Sequence, residues 1–241
     1  MDPQIIKRLD DLADELSQAK AERGQQERFP NQEWLLPAIA QRTEVISASV
    51  CNTIRESSDE AWKVVQLLLK WMEQGTIVRV LGAGRARLAA SVPANRLAHG
   101  GARVYVQDDI IPMPHAVKGG GVIAASASGR TKTLLDILTA IKQNAPRIKI
   151  VGIADHDAEE FKKQCHHFIG IHQAPLSNPL SALADVSEYV ISEVLDSLVV
   201  AAGKLGGFDD RRWRLGHENI GATGPYDADS EPPDLSFTEE L

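Results

Sequence analysis

The chain has 241 residues, of which 43% are apolar and 24% charged, a profile that excludes disordered and fibrous classes and allows a core that needs no disulfides or metals. Its formal charge of −7, from 33 acidic and 26 basic side chains, is the reverse of what a phosphate-backbone binder carries, so no nucleic-acid partner is expected. Only two cysteines occur, no stretch approaches the roughly 18 apolar residues of a membrane span, and the first residues lack the order of a signal peptide, so a soluble, cytoplasmic chain is expected.

Pro3 opens a short amphipathic segment with apolar residues at Ile5, Ile6, Leu9, Leu12, Ala13 and Leu16, a helical spacing with proline in the first turn. A polar run over 18–30 follows. Helical spacing then predicts a helix over 34–54 and another over 59–73, the latter capped by Ser58 or Asp59 and ended by Gly75.

From Thr76 the period changes. Runs rich in Val and Ile at 77–81, 102–106, 121–125, 148–153 and 167–171 alternate with helical stretches at about 86–99, 131–143 and 158–164. Such alternation implies right-handed crossovers and a parallel sheet covered on both faces, a doubly wound α/β domain of five strands. A proline-containing loop at 173–179 leads to a long helix over 181–205, closed by Gly206 and Gly207. A last ordered segment over 208–220 carries Trp213, Leu215, His217 and Ile220. Beyond it little can be buried: residues 227–241 hold six acids and no base, and residues 1–30 hold seven acids and five bases. Residues 31–226 therefore keep 20 acids and 21 bases, so the acidity belongs mostly to the tail.

Two turns follow strands and precede helices, the places where open parallel sheets bind ligands. The first is Gly82-Ala83-Gly84-Arg85-Ala86-Arg87. A dinucleotide fingerprint would need a small residue where Arg87 stands and an acid nearer than Asp108 and Asp109, so no nicotinamide cofactor is expected. The second is Ser126-Ala127-Ser128-Gly129-Arg130-Thr131. Three hydroxyls, a glycine and a helix start make an anion cradle of N–H and O–H donors. Ser128 alone would suffice as a helix cap, and the additional Ser126 and Thr131 favour phosphate.

These two turns, with the continuation Leu88-Ala-Ala and Ala94-Asn-Arg-Leu-Ala-His-Gly100, resemble the sugar isomerase (SIS) domain, and within it the 6-phospho-3-hexuloisomerases first and the arabinose 5-phosphate isomerases next. The likeness runs from about residue 34 to 220. Together with the spacing and composition of the flanks, it divides the chain into an N-terminal helix and linker at 1–30, the SIS domain at 31–220, and an acidic tail at 221–241 that is expected to be flexible. It further implies a sugar-phosphate aldose–ketose isomerase. Phosphate would lie on Ser126, Ser128, Gly129, Arg130 and Thr131, and the substrate would meet a loop at Gly82, Gly84 and Arg85. Glu188, eight residues before Asp196 and its apolar run, would be the base. His217 would be its acid–base partner, in a segment able to reach a neighbouring subunit's site.

Such an enzyme moves a proton between adjacent carbons through an enediolate, which a carboxylate and a histidine with an ordinary pKa of about 6.5 can manage. No metal or organic cofactor is implied. The expected partners are a phosphorylated sugar and further copies of the chain, as a homodimer or homotetramer.

Two positions depart from the family. Ala86 stands where a serine is common, and Gly119, Gly120 and Gly121 stand where an acidic residue is often found. One lost hydroxyl costs about 1 kcal/mol or changes which sugar fits. A SIS protein that binds a phosphosugar as a sensor or structural member, without converting it, is therefore the second function compatible with the pattern.

Asp155-His156-Asp157, and Cys165-His166-His167 with His172, are rich in ligand-type side chains. Neither has a zinc-finger spacing, and adjacent His166 and His167 in a strand point to opposite faces, so no metal site is expected. Arg85, Arg96 and Lys132 are cations near the turns whose ordinary fate is a solvated helix face.

Overall fold

A computed structural model describes residues 35–106, 120–174 and 185–215. In chain order the elements are α1 (Leu35–Glu56), α2 (Ser58–Glu73), β1 (Ile77–Gly82), α3 (Gly84–His99), β2 (Arg103–Val106), β3 (Gly121–Ala125), α4 (Lys132–Asn144), β4 (Lys149–Asp155), α5 (Glu159–Gln164), β5 (His167–Ile171), α6 (Asp185–Leu205) and α7 (Asp210–Leu215). All four strand pairings are parallel, in the order β2-β1-β3-β4-β5. The five strands and the doubly wound arrangement read from the sequence are those observed.

Side chains alternate across a strand, so each strand feeds two cores. Val78, Val80, Ile123, Ala125, Val151, Ile153, Ile169 and Ile171 join the larger core with α2, α3 and α6, and the partly buried Val45, Ile46, Val50 and Ile54 of α1 pack against it. Leu81, Val122, Ala124, Ile150 and Ala154 face the other way, onto Leu134 and Leu138 of α4 and Phe161 of α5. Both faces of β3 and most of β4 are thereby buried, which explains their near-continuous apolar runs. At the edge, β2 shows mostly exposed residues.

Helix α2 follows its apolar spacing closely: Ala61, Val64, Val65, Leu68, Trp71 and Met72 are buried. Its start differs from expectation. Ser57, not Ser58 or Asp59, is the N-cap residue, and its side chain makes no capping bond. The acids Asp59 and Glu60 in the first turn instead complement the positive end of the helix dipole. Gly75 follows the helix with φ of +56°, the left-handed close expected of it.

The fold fixes the location of a ligand crevice. Sheet order places β1 and β3 side by side, yet α3 leaves β1 toward the larger core while α4 leaves β3 toward the smaller one. Two helices diverging from neighbouring strands open a cleft at the strands' C-terminal ends.

Candidate functional site

That cleft is a cavity of about 380 Å³ lined by Ala83, Ala86, Ser126, Ala127, Ser128, Thr131, Asp155, Gln173, Ser187 and Glu188. Of the residues singled out in the sequence, Ser126, Ser128, Thr131 and Glu188 therefore share one cavity, although Glu188 comes from a different helix. Arg130 is exposed and is not among the lining residues. His217 lies outside the described residues, as do Gly119 and both flanking regions, 1–30 and 221–241.

The turn after β3 is tied to β4 by two backbone bonds, Ser126 N–H to the Ile153 carbonyl at 3.0 Å and Asp155 N–H to the Ala127 carbonyl at 3.2 Å. Gly129 has φ of +65°, where other residues are strained. A Cβ there would lie 2.3 Å from Cβ of Ala158, so glycine is required both by conformation and by the close approach of the turn after β4.

The N–H groups of this turn are not all open, in contrast to the expectation from sequence. Gly129 N–H donates to Ser126 Oγ at 3.0 Å, and Arg130 N–H donates to Ser128 Oγ at 3.3 Å. Each serine thus accepts one bond from the backbone and keeps its own O–H to donate. Thr131 is the N-cap residue of α4 but makes no side-chain capping bond, so the first-turn N–H groups of α4 gain no cap from it. Ser128 is accordingly not the helix cap. Three hydroxyls and an uncapped helix start together form a donor surface suited to an anion.

Across the cavity, Glu188 sits in the first turn of α6 with its side chain only 16% exposed, and Arg85 Nε lies 3.0 Å from its Oε1. Arg85 occupies the first turn of α3, immediately after the glycine turn. There a Cβ on Gly82 would come within 3.0 Å of both the Ala125 carbonyl oxygen and Arg87 Cα, so glycine lets β1, β3 and α3 converge. Gly82, Gly84 and Arg85 thus bring a cation onto Glu188, and Ala83 and Ala86 supply the cavity wall. The other two cations near the turns have carboxylate partners of their own, Arg96 with Asp196 of α6 at 2.6 Å and Lys132 with Asp136 one turn on at 2.7 Å.

Asp155, Gln173 and Ser187 were not expected in the site. Asp155 ends β4 and Gln173 lies just past β5, so the rule that ligands gather at the carboxyl ends of parallel strands is the signal that points to both. Gln173 Nε2 donates to Ser187 Oγ at 2.6 Å, and Asp155 Oδ1 accepts from Asp157 N–H at 3.0 Å.

Beside the cavity, ligand-type atoms of Asp155, His156 and Asp157 lie within 4.8 Å of one another, and the His156 ring stacks on His172 at 4.4 Å between centroids. His156 Nδ1 is 3.3 Å from the Ile171 carbonyl oxygen. His166 is occupied elsewhere: its Nδ1 accepts the Ile150 N–H at 3.1 Å.

No protein-family model matches the chain. A protein of Aeropyrum pernix, described only as uncharacterized, is 28% identical over 161 residues, which is 59% of this chain and 73% of that protein. Solved structures are more informative. A Methanococcus jannaschii protein whose structure was taken to infer a function of 3-hexulose-6-phosphate isomerase superposes with a TM-score of 0.61 at 18% identity, covering 74% of this chain and 98% of its own. An E. coli CFT073 protein solved in complex with arabinose 5-phosphate gives 0.63 at 19%, covering 78% and 100%. The sugar isomerase domain of an RpiR transcription factor from Sphaerobacter thermophilus gives 0.57 at 12%, covering 77% and 97%.

The chain has the sugar isomerase fold. Within that fold, the cavity between the glycine turn and the serine turn is lined by the hydroxyls of Ser126, Ser128, Thr131 and Ser187 and by the mostly buried Glu188, whose partner Arg85 is not itself a lining residue. No described helix is long and apolar enough to cross a membrane.

Proposed function

We propose that this protein is a sugar-phosphate aldose–ketose isomerase of the 6-phospho-3-hexuloisomerase kind. One observation carries the reading: an anion-donor surface of three hydroxyls and a helix start shares a single cavity with a mostly buried carboxylate from another helix. In this reading phosphate rests on the O–H groups of Ser126, Ser128 and Thr131 and on the start of α4. Binding energy gained there positions the remote carbons. Glu188 takes the proton from the carbon beside the carbonyl and returns it to the adjacent carbon through an enediolate. Arg85 holds Oε1 and so presents Oε2 to the substrate. His217 moves protons between the two oxygens, from this chain or from a second copy. The exposed Leu36, Ile39 and Trp62 of the front helices support pairing of copies.

The test is Glu188→Gln. Exchange of the substrate's carbon-bound proton with solvent is expected to vanish while phosphosugar binding survives. Unchanged turnover would remove Glu188 from the mechanism.

A second reading, a phosphosugar sensor without turnover, is favoured by Ala86, which places a methyl where related isomerases often have a hydroxyl, and by the likeness to a transcription-factor domain. Thermal-shift screening against a phosphosugar panel, followed by an isomerisation assay on each hit, separates the two. Binding without turnover throughout selects the sensor.

A further inference from the structure

Two fully buried hydroxyls lie on α1, Ser49 and Thr53, both 0% exposed. Buried hydroxyls are costly unless they are hydrogen-bonded, and these two are bonded in a particular way. Thr53 Oγ1 accepts the N–H of His172 at 3.0 Å, and Ser49 Oγ accepts the N–H of Ala174 at 2.9 Å. Residue 173 is thereby held on both sides by an element that is not part of the sheet.

The residue so held is Gln173, whose side chain lines the cavity and donates to Ser187. Ser187 is itself 1% exposed, lines the same cavity and directly precedes Glu188. Donation from Nε2 fixes which way the carboxamide is turned and leaves Oε1 as the group it offers for accepting a bond. Ser187 accepts that bond and keeps its own O–H to donate. The pair therefore offers one acceptor and one donor side by side, next to Glu188 and apart from the serine turn.

We infer that Gln173 and Ser187 are the specificity-determining pair of this site, and that they recognise the α-hydroxy-carbonyl end of an open-chain sugar phosphate. Ser187 donates to the carbonyl oxygen, Gln173 accepts from the neighbouring hydroxyl, and Thr53 acts as a positioning residue through the His172 backbone. This rests on the phosphosugar reading above and extends it from the phosphate to the reacting end. A neutral acceptor–donor pair favours a ligand that carries both the carbonyl and the hydroxyl: Gln173 is exposed, so a ligand without the hydroxyl leaves it to water and forfeits that direct bond.

The experiment measures the affinity of the full chain for inorganic phosphate, glucose 6-phosphate, fructose 6-phosphate and 2-deoxyglucose 6-phosphate, in wild type and in Gln173→Met, Ser187→Ala and Thr53→Val. Wild type is expected to bind a hydroxylated sugar phosphate about tenfold more tightly than the deoxy compound, the worth of one well-made hydrogen bond. Gln173→Met and Ser187→Ala should shrink that ratio toward one with inorganic phosphate affinity unchanged. Thr53→Val should shrink it in part although Thr53 does not line the cavity, an effect that loss of stability alone would not produce.

If the wild-type ratio persists in Gln173→Met, the pair is not the selector and the phosphosugar reading stands. If only the Thr53→Val ratio persists, its positioning role is overturned. If wild type binds none of the sugar phosphates, the underlying reading fails, and this inference with it.

Discussion

Replacing Gly129 by alanine tests whether the serine turn owes its shape to one close approach. Two costs can be worked out from the structure. With φ of +65°, a side chain at this position carries the left-handed penalty of about 1–2 kcal/mol. The added Cβ would also lie 2.3 Å from the Ala158 Cβ, and an ordinary carbon–carbon contact needs a separation roughly 1.5 Å larger. Forcing the two turns apart by that amount is overpacking, worth about 1–3 kcal/mol. Gly129→Ala should therefore lose about 2–5 kcal/mol, a large part of the stability of an ordinary domain. In urea the midpoint should fall by about 1–2.5 M with the slope unchanged.

The two costs separate by a second substitution. Ala158→Gly removes the clashing atom, after which the nearest neighbours are the Cβ atoms of Ala154 and Phe161 at 3.3 Å. The double variant should regain the overpacking share and keep the backbone penalty. A Gly129→Ala loss below about 0.5 kcal/mol, the size of an ordinary surface substitution, or a double variant no more stable than the single one, would refute the packing argument.

Two further outcomes follow from the same contacts. Burial first, then the positive Lys149, Lys142 and His167, hold the His166 pKa below its ordinary 6.5, so the unfolded chain takes up this proton more readily than the folded one. Its contribution is fully present above about pH 6.5 and is lost as pH falls through that value toward the lower folded pKa. The charged ring can no longer accept the Ile150 N–H, and urea midpoints from pH 8 to 5.5 should drop more steeply in wild type than in His166→Gln; equal slopes would exclude His166. Cys165 donates to the Phe161 carbonyl, and burial pushes its thiol up to about 12, whereas Cys51 is exposed on α1. Iodoacetamide at pH 8 should modify one cysteine quickly in the folded protein and both after unfolding, and equal rates in the folded protein would contradict the burial of the Cys165 thiol.

The fold was legible because burial on both faces leaves its mark on local composition. The runs at 77–81, 121–125 and 148–153 are apolar over nearly every residue, and each borders a segment of helical period. Local signals also located Ser126, Ser128 and Thr131, which fall within six consecutive residues. Pairing between elements was not legible. Arg85 meets Glu188 across 103 positions because β1 and β3 are neighbours and α3 packs along α6, facts that no local window contains. The same holds for Thr53 with His172 and Ser49 with Ala174. The cap of α2 was misplaced by one or two residues for a different reason: Ser57, Ser58 and Asp59 are all good cap types, and composition does not rank them when the side-chain bond is not made at all.

The distribution of the site over two layers has a consequence for selectivity. Ser126, Ser128 and Thr131 belong to a turn whose backbone is bound to the end of β4 and whose helix packs into the smaller core. Glu188, Ser187 and Gln173 are delivered by α6 and by the exit of β5, which α1 holds from the larger core side. The separation between the anion surface and the carboxylate is therefore set by the sheet, whose carboxyl edge carries both, and by α4 and α6, not by any one loop. On the proposed reading, the protein measures the length of a phosphosugar as a span across the carboxyl edge of the sheet. Substitutions at Gly129 or Ala158 then shift the phosphate end of that span, and substitutions at Thr53 shift the other, so each should alter affinity for sugars of different length in its own direction while leaving the remaining end of the site intact.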